Sequence, residues 1–300
     1  MFKKVFSLGV FLSILCGGQL PALAENIVKQ IEERGIIRAG YRQDTVPFAF
    51  IDEKTGKPVG YAIDMLELIR EETEERLGKP ITLELVDIDA SDRFGQIKDG
   101  TIDIECGSTT VTWEREEIVD FSTSYFASGT QMIVHRGSEW ARAESLAGAK
   151  IAVIPDTTNE TAIQNFAPDA NFIFVSSEEE GWQMVQDGDV AGFAGDGILL
   201  QALKAQVDNS ADYEIVPEFP YMIESYACTL PQNQSQWRKI VNYSLVRFMQ
   251  GVVTDVPRSR AIYERWFGVN GVTPYPVETM ADYFQGIING YQWIDIEGRY

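Results

Sequence analysis

The segment Cys106-Gly107-Ser108-Thr109-Thr110-Val111-Thr112-Trp113-Glu114-Arg115 leaves an expected strand and offers hydroxyls, backbone amides and a guanidinium. The planar fork of an arginine fits a carboxylate with two parallel hydrogen bonds, so the chemistry on offer is recognition of an anion. A zwitterionic ligand needs such a cation at one end and a carboxylate at the other, both at loop ends, because an unmatched buried charge costs roughly 3 to 5 kcal/mol. Arg115 also stands among Glu114, Glu116 and Glu117, and an ordinary surface ion pair is the competing reading. Catalysis has less material. The chain has one histidine, His135, in a strand-like stretch from Gln131 to Arg136, and three cysteines. Histidine-rich zinc sites and Cys/His nucleophile pairs are therefore poorly supported. No G-x-S-x-G elbow, phosphate-binding Walker loop or dinucleotide fingerprint occurs, and among 45 acids no spacing singles out a catalytic pair. No cofactor and no metal are expected.

The first residues bear on where these groups work. Lys3 and Lys4 precede an apolar run from Val5 to Leu15, and Pro21 breaks the chain before Ala22-Leu23-Ala24. This pattern predicts a signal peptide over residues 1–24, cleaved after Ala24, because the run is shorter than the roughly 20 residues that span a bilayer. Cys16 then leaves with the leader. Of 300 residues 276 remain, enough for two lobes with separate cores, and the formal charge moves from −20 to −22 as two lysines depart. So acidic a surface, without a basic patch, excludes nucleic acid and anionic membrane as partners. A local cluster of arginines still allows an acidic ligand, since salt screens distant charges within about 8 to 10 Å. Cys106 and Cys228 remain, an even number in an oxidising compartment, which permits one disulfide.

The elements that must position the loops alternate between strand and helix, the pattern of an α/β fold. Strands are expected at Ile36 to Tyr41, Ile81 to Ile88, Ile102 to Cys106, Lys150 to Ile154, Asn171 to Val175 and Val190 to Ala194. Helices are expected at Tyr61 to Leu77, Ser91 to Lys98, Asn159 to Phe166, Ser177 to Gln186, Ile198 to Lys204, Asn233 to Gln250 and Arg258 to Phe267. In the first of these, Ile63, Leu66, Ile69 and Leu77 form an apolar stripe, with Glu71, Glu72, Glu74 and Glu75 facing solvent. Lys98-Asp99-Gly100 before one strand is echoed by Gln186-Asp187-Gly188 before another, which points to two similar lobes rather than one large sheet. The aromatic tail after Pro274 is expected to pack on the body.

Several strings in order carry a resemblance: Val46 to Asp52, Val59 to Asp64, Asp99 to Ile104, Ser108 to Arg115 with Val119-Asp120-Phe121-Ser122, and Arg265-Trp266-Phe267. Together they resemble the family 3 periplasmic amino-acid-binding proteins over nearly all of the mature length. Glu105 to Thr110 and Tyr226-Ala227-Cys228 are most similar to the glutamate/aspartate-binding branch. The resemblance implies a two-lobed periplasmic-binding-protein clamshell of type II with two interlobe crossings, near Ser128 to Ile133 and Met222 to Tyr226. Lobe one would comprise residues 25–130 and 226–300, and lobe two residues 131–225. It implies a monomeric periplasmic protein, not an enzyme, that hands a small amino acid to the permease and ATPase subunits of an ABC importer. The ligand would be glutamate or aspartate; the alternatives are glutamine or asparagine, or a dehydratase-like enzyme on the same scaffold.

Residue by residue, Ser108, Thr110 and Arg115 match the family's α-carboxylate site, and Asp196 its ammonium-binding aspartate. Without the resemblance Asp196 reads as the N-cap of the helix from Ile198. Thr157-Thr158-Asn159 match a loop that offers amides and hydroxyls at a helix N-terminus. Arg42 and Arg93 match arginines that read the distal carboxylate, against plain ion pairs with Asp44 and Asp92. The resemblance also places Cys106 and Cys228 side by side in lobe one as a disulfide. Three positions depart: Asp156 stands where relatives have glycine, Ala90 where the acidic branch has serine, with Ser91 as a nearby substitute, and no histidine lies near Glu180-Gly181-Trp182.

Overall fold

A computed structural model describes residues 26–294 apart from Arg142. The expected leader, its expected cleavage after Ala24, and Cys16 lie outside the described residues. The strands are β1 Ile36–Tyr41, β2 Asp44–Thr45, β3 Ala49–Ile51, β4 Pro58–Val59, β5 Thr82–Asp87, β6 Ile104–Glu105, β7 Asp120–His135, β8 Lys150–Val153, β9 Asn171–Phe174, β10 Gly192–Asp196, β11 Tyr213–Val216 and β12 Met222–Leu230. The helices are α1 Ile27–Arg34, α2 Tyr61–Leu77, α3 Arg93–Lys98, α4 Trp113–Glu116, α5 Thr158–Phe166, α6 Glu178–Gln186, α7 Gly197–Ala205, α8 Ser235–Val253, α9 Pro257–Phe267 and α10 Val277–Ile288. No helix among the described residues is long and apolar enough to cross a membrane.

The repeated grammar of the sequence becomes a repeated topology. In one half β5, β1 and β6 run parallel, with the first strand in the middle. In the other, β9, β8 and β10 do the same. The helix before β6 and the helix before β10 each end in Asp-Gly, with Gly100 at φ 76° and Gly188 at φ 74°. Only glycine adopts that left-handed turn without a Cβ penalty, so both chains drop from helix into strand in the same way.

The two halves do not form separate sheets. One hydrogen-bonded order runs β5-β1-β6-β12-β7-β10-β8-β9, with β11 added to β7. The reason is length: β7 has 16 residues, roughly 50 Å of extended chain, and so serves both lobes. It pairs antiparallel with β12 through the stretch where both cross between lobes, Met222 opposite Thr130 and Glu224 opposite Ser128.

Each lobe has its own core. On one side Phe48, Tyr61, Phe126, Tyr226, Trp237, Phe248 and Phe267 are buried in a single aromatic-rich cluster. On the other the sheet separates two clusters, with Ile133, Ala152 and Phe193 on one face and Met132, Val134, Ile151 and Val153 on the opposite face. That split follows from the two-residue period of a strand.

Glu72 departs from the wet face expected for α2. It is buried and pairs with Arg76 at 2.5 Å and with Arg247 of α8 at 3.2 Å. The reason is that α2 packs on α8 as well as on the sheet. The tail folds as α10, burying Met280, Phe284 and Ile288, while Tyr291 and Trp293 stay exposed. Cys106, just after β6, and Cys228 of β12 form a disulfide, closing a separation of 122 residues. By limiting the unfolded chain such a loop stabilises by up to about 5 kcal/mol.

Candidate functional site

A cavity of about 30 Å³ lies between the lobes. Arg42, Arg93, Ser108, Thr110 and Arg115 line it from one lobe, and Thr157, Thr158 and Asp196 from the other. All eight residues singled out from the sequence therefore meet. They meet because their loops leave the carboxyl ends of parallel strands, the edge where open α/β sheets hold ligands. Arg42 follows β1, the Ser108 to Arg115 loop follows β6, Thr157 and Thr158 follow β8, and Asp196 ends β10.

At one end Arg115 is half-buried, and no ion pair joins it to Glu114, Glu116 or Glu117 among the described residues. Its Nη1 donates to Thr110 O at 2.8 Å, and its guanidinium lies 5.4 Å from the Phe94 ring centre. Burial lowers its pKa, against the pull of Glu224 and Asp196. Thr157 caps α5 with its hydroxyl, which accepts from Glu160 N at 3.2 Å and donates to Ile154 O at 2.7 Å. Ordinary capping thus occupies this hydroxyl, leaving the amide end of α5 as its contribution to the cavity.

The hydroxyls of Thr110 and Thr158 converge on a residue the sequence did not flag. Glu224 of β12 is buried and accepts from Thr158 Oγ1 at 3.0 Å, from Thr130 Oγ1 at 2.7 Å and from Thr110 Oγ1. One carboxylate thus ties both lobes to the crossing strand.

Asp196 occupies the N-cap position of α7, yet its side chain makes no capping bond. Its Oδ2 accepts from Asn159 Nδ2 at 3.4 Å, and its buried Oδ1 has no partner among the described residues. Burial raises its pKa well above the usual range, and the neighbouring Glu224 and Glu178 carboxylates add to the rise. Burial and like-charged neighbours favour its neutral form, and a cation placed beside it would favour the carboxylate.

The distal end holds Arg42, Arg93 and Glu178. Arg42 grips Asp44 with two bonds, Nε to Oδ1 at 3.0 Å and Nη2 to Oδ2 at 2.9 Å, so the plain ion pair is present while the residue still lines the cavity. Arg93 does not pair with Asp92. Its Nη1 donates to Ala90 O, its Nε is buried without a partner, and its guanidinium stacks 4.5 Å from the Phe94 ring centre. Burial, with repulsion from Arg115, lowers its pKa to about 9. A guanidinium placed so is completed by an anion or a carbonyl.

Ser91 and Asp156 line an adjoining groove and not this cavity. Asp156 is exposed and adopts φ 60°, a left-handed conformation that glycine takes freely. Asn159, in the matched loop, also lines the cavity, while two lining or adjacent acceptors escaped the sequence: Glu178 and Glu224. The buried face of α6 was the available signal for Glu178, since Trp182 and Val185 are the apolar positions four and seven residues later.

The chain matches the bacterial extracellular solute-binding proteins of family 3 over residues 37–269. The L-glutamate/L-aspartate-binding protein of Pseudomonas aeruginosa is 27% identical over 256 residues, covering 82% of each chain. The glutamate/aspartate import solute-binding protein of Escherichia coli is 28% identical over 252 residues, 82% of this chain and 81% of its own. A solved ancestral arginine-binding protein bound to glutamine superposes with a TM-score of 0.67 at 28% identity, over 78% of this chain and 99% of that one. With a type II two-lobed fold and an interlobe cavity of this composition, the chain belongs to the bacterial extracellular solute-binding proteins of family 3.

Proposed function

We propose that this chain is the extracytoplasmic substrate-binding component of an amino-acid ABC importer, capturing an acidic amino acid in the interlobe cavity. One observation carries the reading: four polar atoms that line the cavity are buried without partners, namely Arg93 Nε, Asn159 Oδ1, Glu178 Oε2 and Asp196 Oδ1. Buried polar groups are paired almost without exception, so a cluster of orphans around a cavity is completed by a ligand. Its polarity is asymmetric. Arg115 and the amide end of α5 call for an α-carboxylate, Asp196 for an ammonium, and Arg93 for a side-chain anion. The relatives that bind glutamate and aspartate support the acidic choice, and the glutamine-bound neighbour supports an amide as the second reading. We weigh charge-assisted bonds, about 1.5 to 3 kcal/mol, above neutral ones of about 1 kcal/mol, and so place glutamate ahead of glutamine. Export to the periplasm and delivery to a permease and ATPase complete the proposal.

A thermal-shift panel of the twenty amino acids tests it. Glutamate and aspartate at about a hundred times their Kd should each add roughly 2.7 kcal/mol of apparent stability, several degrees in melting temperature. A flat panel would remove amino acids as the ligand class.

A further inference from the structure

Glu178 is the first of three consecutive glutamates that open α6, and it behaves unlike the other two. Glu179 and Glu180 reach solvent, and Glu180 accepts from Ser176 N at 2.8 Å and Ser176 Oγ at 2.7 Å. Glu178 is 5% exposed, lines the cavity and keeps its Oε2 without a partner. Because α6 packs against β2 across the interlobe boundary, this carboxyl from one lobe lies near Arg42 of the other. The charged groups around it are Arg42 after β1, Asp44 on β2 and Asp196 at the end of β10, with Arg93 across the cavity. His135 of β7 bonds Val185 O toward the far end of α6, and Lys150 starts β8 on the exposed opposite edge. Arg42 is already matched by Asp44, so Glu178 and Arg93 are the distal groups left to meet a ligand's side chain.

We propose that Glu178 sets the choice between a side-chain carboxylate and a side-chain carboxamide, holding a proton beside the first and giving it up beside the second. The proposal rests on the reading of the cavity as an amino-acid site. A protonated Glu178 donates its O–H to the ligand carboxylate, whose other oxygen accepts from Arg93. An ionised Glu178 would repel that carboxylate. It instead accepts an N–H of a carboxamide whose oxygen faces Arg93. The proton comes from and returns to solvent, so the step balances.

Burial pushes Glu178 up to about 7, opposed by Arg42 and aided by Asp44, so both forms are within reach near neutrality. A bound carboxylate raises that value further. Glutamate binding therefore takes up a proton above about pH 7, and its affinity falls as pH rises. Glutamine favours the ionised form, and its affinity rises over the same range. Asp196 meets the same ammonium in both cases and cancels in the comparison.

Calorimetric titrations of the parent and Glu178→Gln with L-glutamate and L-glutamine, from pH 6 to 8.5 in buffers of different ionisation heat, test this. In the parent, the ratio of the glutamine Kd to the glutamate Kd should fall at least about tenfold from pH 6 to 8.5. Glutamate should take up more protons than glutamine at pH 8, a count that needs no variant. In Glu178→Gln the ratio should stay within about threefold over that range. A flat ratio in the parent, or an undiminished slope in the variant, overturns the role of Glu178. If neither ligand binds the parent at any pH, the amino-acid reading falls, and this inference with it.

Discussion

Asp196→Asn should cost at least about a hundredfold in affinity for every α-amino acid the protein binds, roughly 3 kcal/mol, by leaving the ammonium buried without its counter-charge. Asparagine keeps the shape, so the loss reports charge and not a cavity. The same substitution should raise the melting temperature of the ligand-free protein at neutral pH. The sign follows from burial and the nearby Glu224 and Glu178, which hold the Asp196 pKa above its unfolded value. The folded state thus resists the ionisation that the unfolded chain undergoes freely. That penalty is absent below about pH 3.9 and grows as pH climbs toward the folded value. Weaker binding joined to a higher melting point would identify Asp196 as a group whose cost the ligand offsets. Binding within tenfold of the parent would reduce it to a residue at the start of α7.

Arg115→Ala should be as severe, again at least about a hundredfold, because an α-carboxylate would then enter a buried site without its cation. Arg115→Lys should recover little, since an ammonium cannot reproduce the two parallel bonds of the guanidinium. The effect should fall equally on glutamate, aspartate and any amide that binds, because the α-carboxylate is common to all. Calorimetry against each ligand checks it. A loss confined to one side chain would move Arg115 to the distal pocket, and a loss under tenfold would return it to structure alone.

The sequence carried the architecture because alternating strand and helix signals dictate loops at one edge of a sheet. The doubled Asp-Gly signal before β6 and β10 marks the repeat through an identical left-handed turn. What it hid was long-range. Only Gln131 to Arg136 reads as strand, yet β7 runs from Asp120 to His135. Along it burial changes in pairs, not singly, and Ser122, Thr123, Ser124 and Ser128 interrupt any apolar alternation. Glu224 was invisible for the same reason: its three hydroxyl donors lie 66, 94 and 114 residues away. Glu178 was masked by its neighbours, because an acidic run at a helix start reads as a solvated end that favours the helix dipole. Arg42 shows the converse, with the plain ion pair to Asp44 and a place in the cavity wall both present.

The interlobe cavity should hold one acidic α-amino acid. A calorimetric titration of L-glutamate into protein that has been unfolded, dialysed and refolded to remove any co-purified ligand, at pH 6, decides it. One saturable site per chain is expected, with affinity lost in both Asp196→Asn and Arg115→Ala. The absence of saturable heat from the refolded parent, in a sample whose circular dichroism matches that of protein never unfolded, would contradict it.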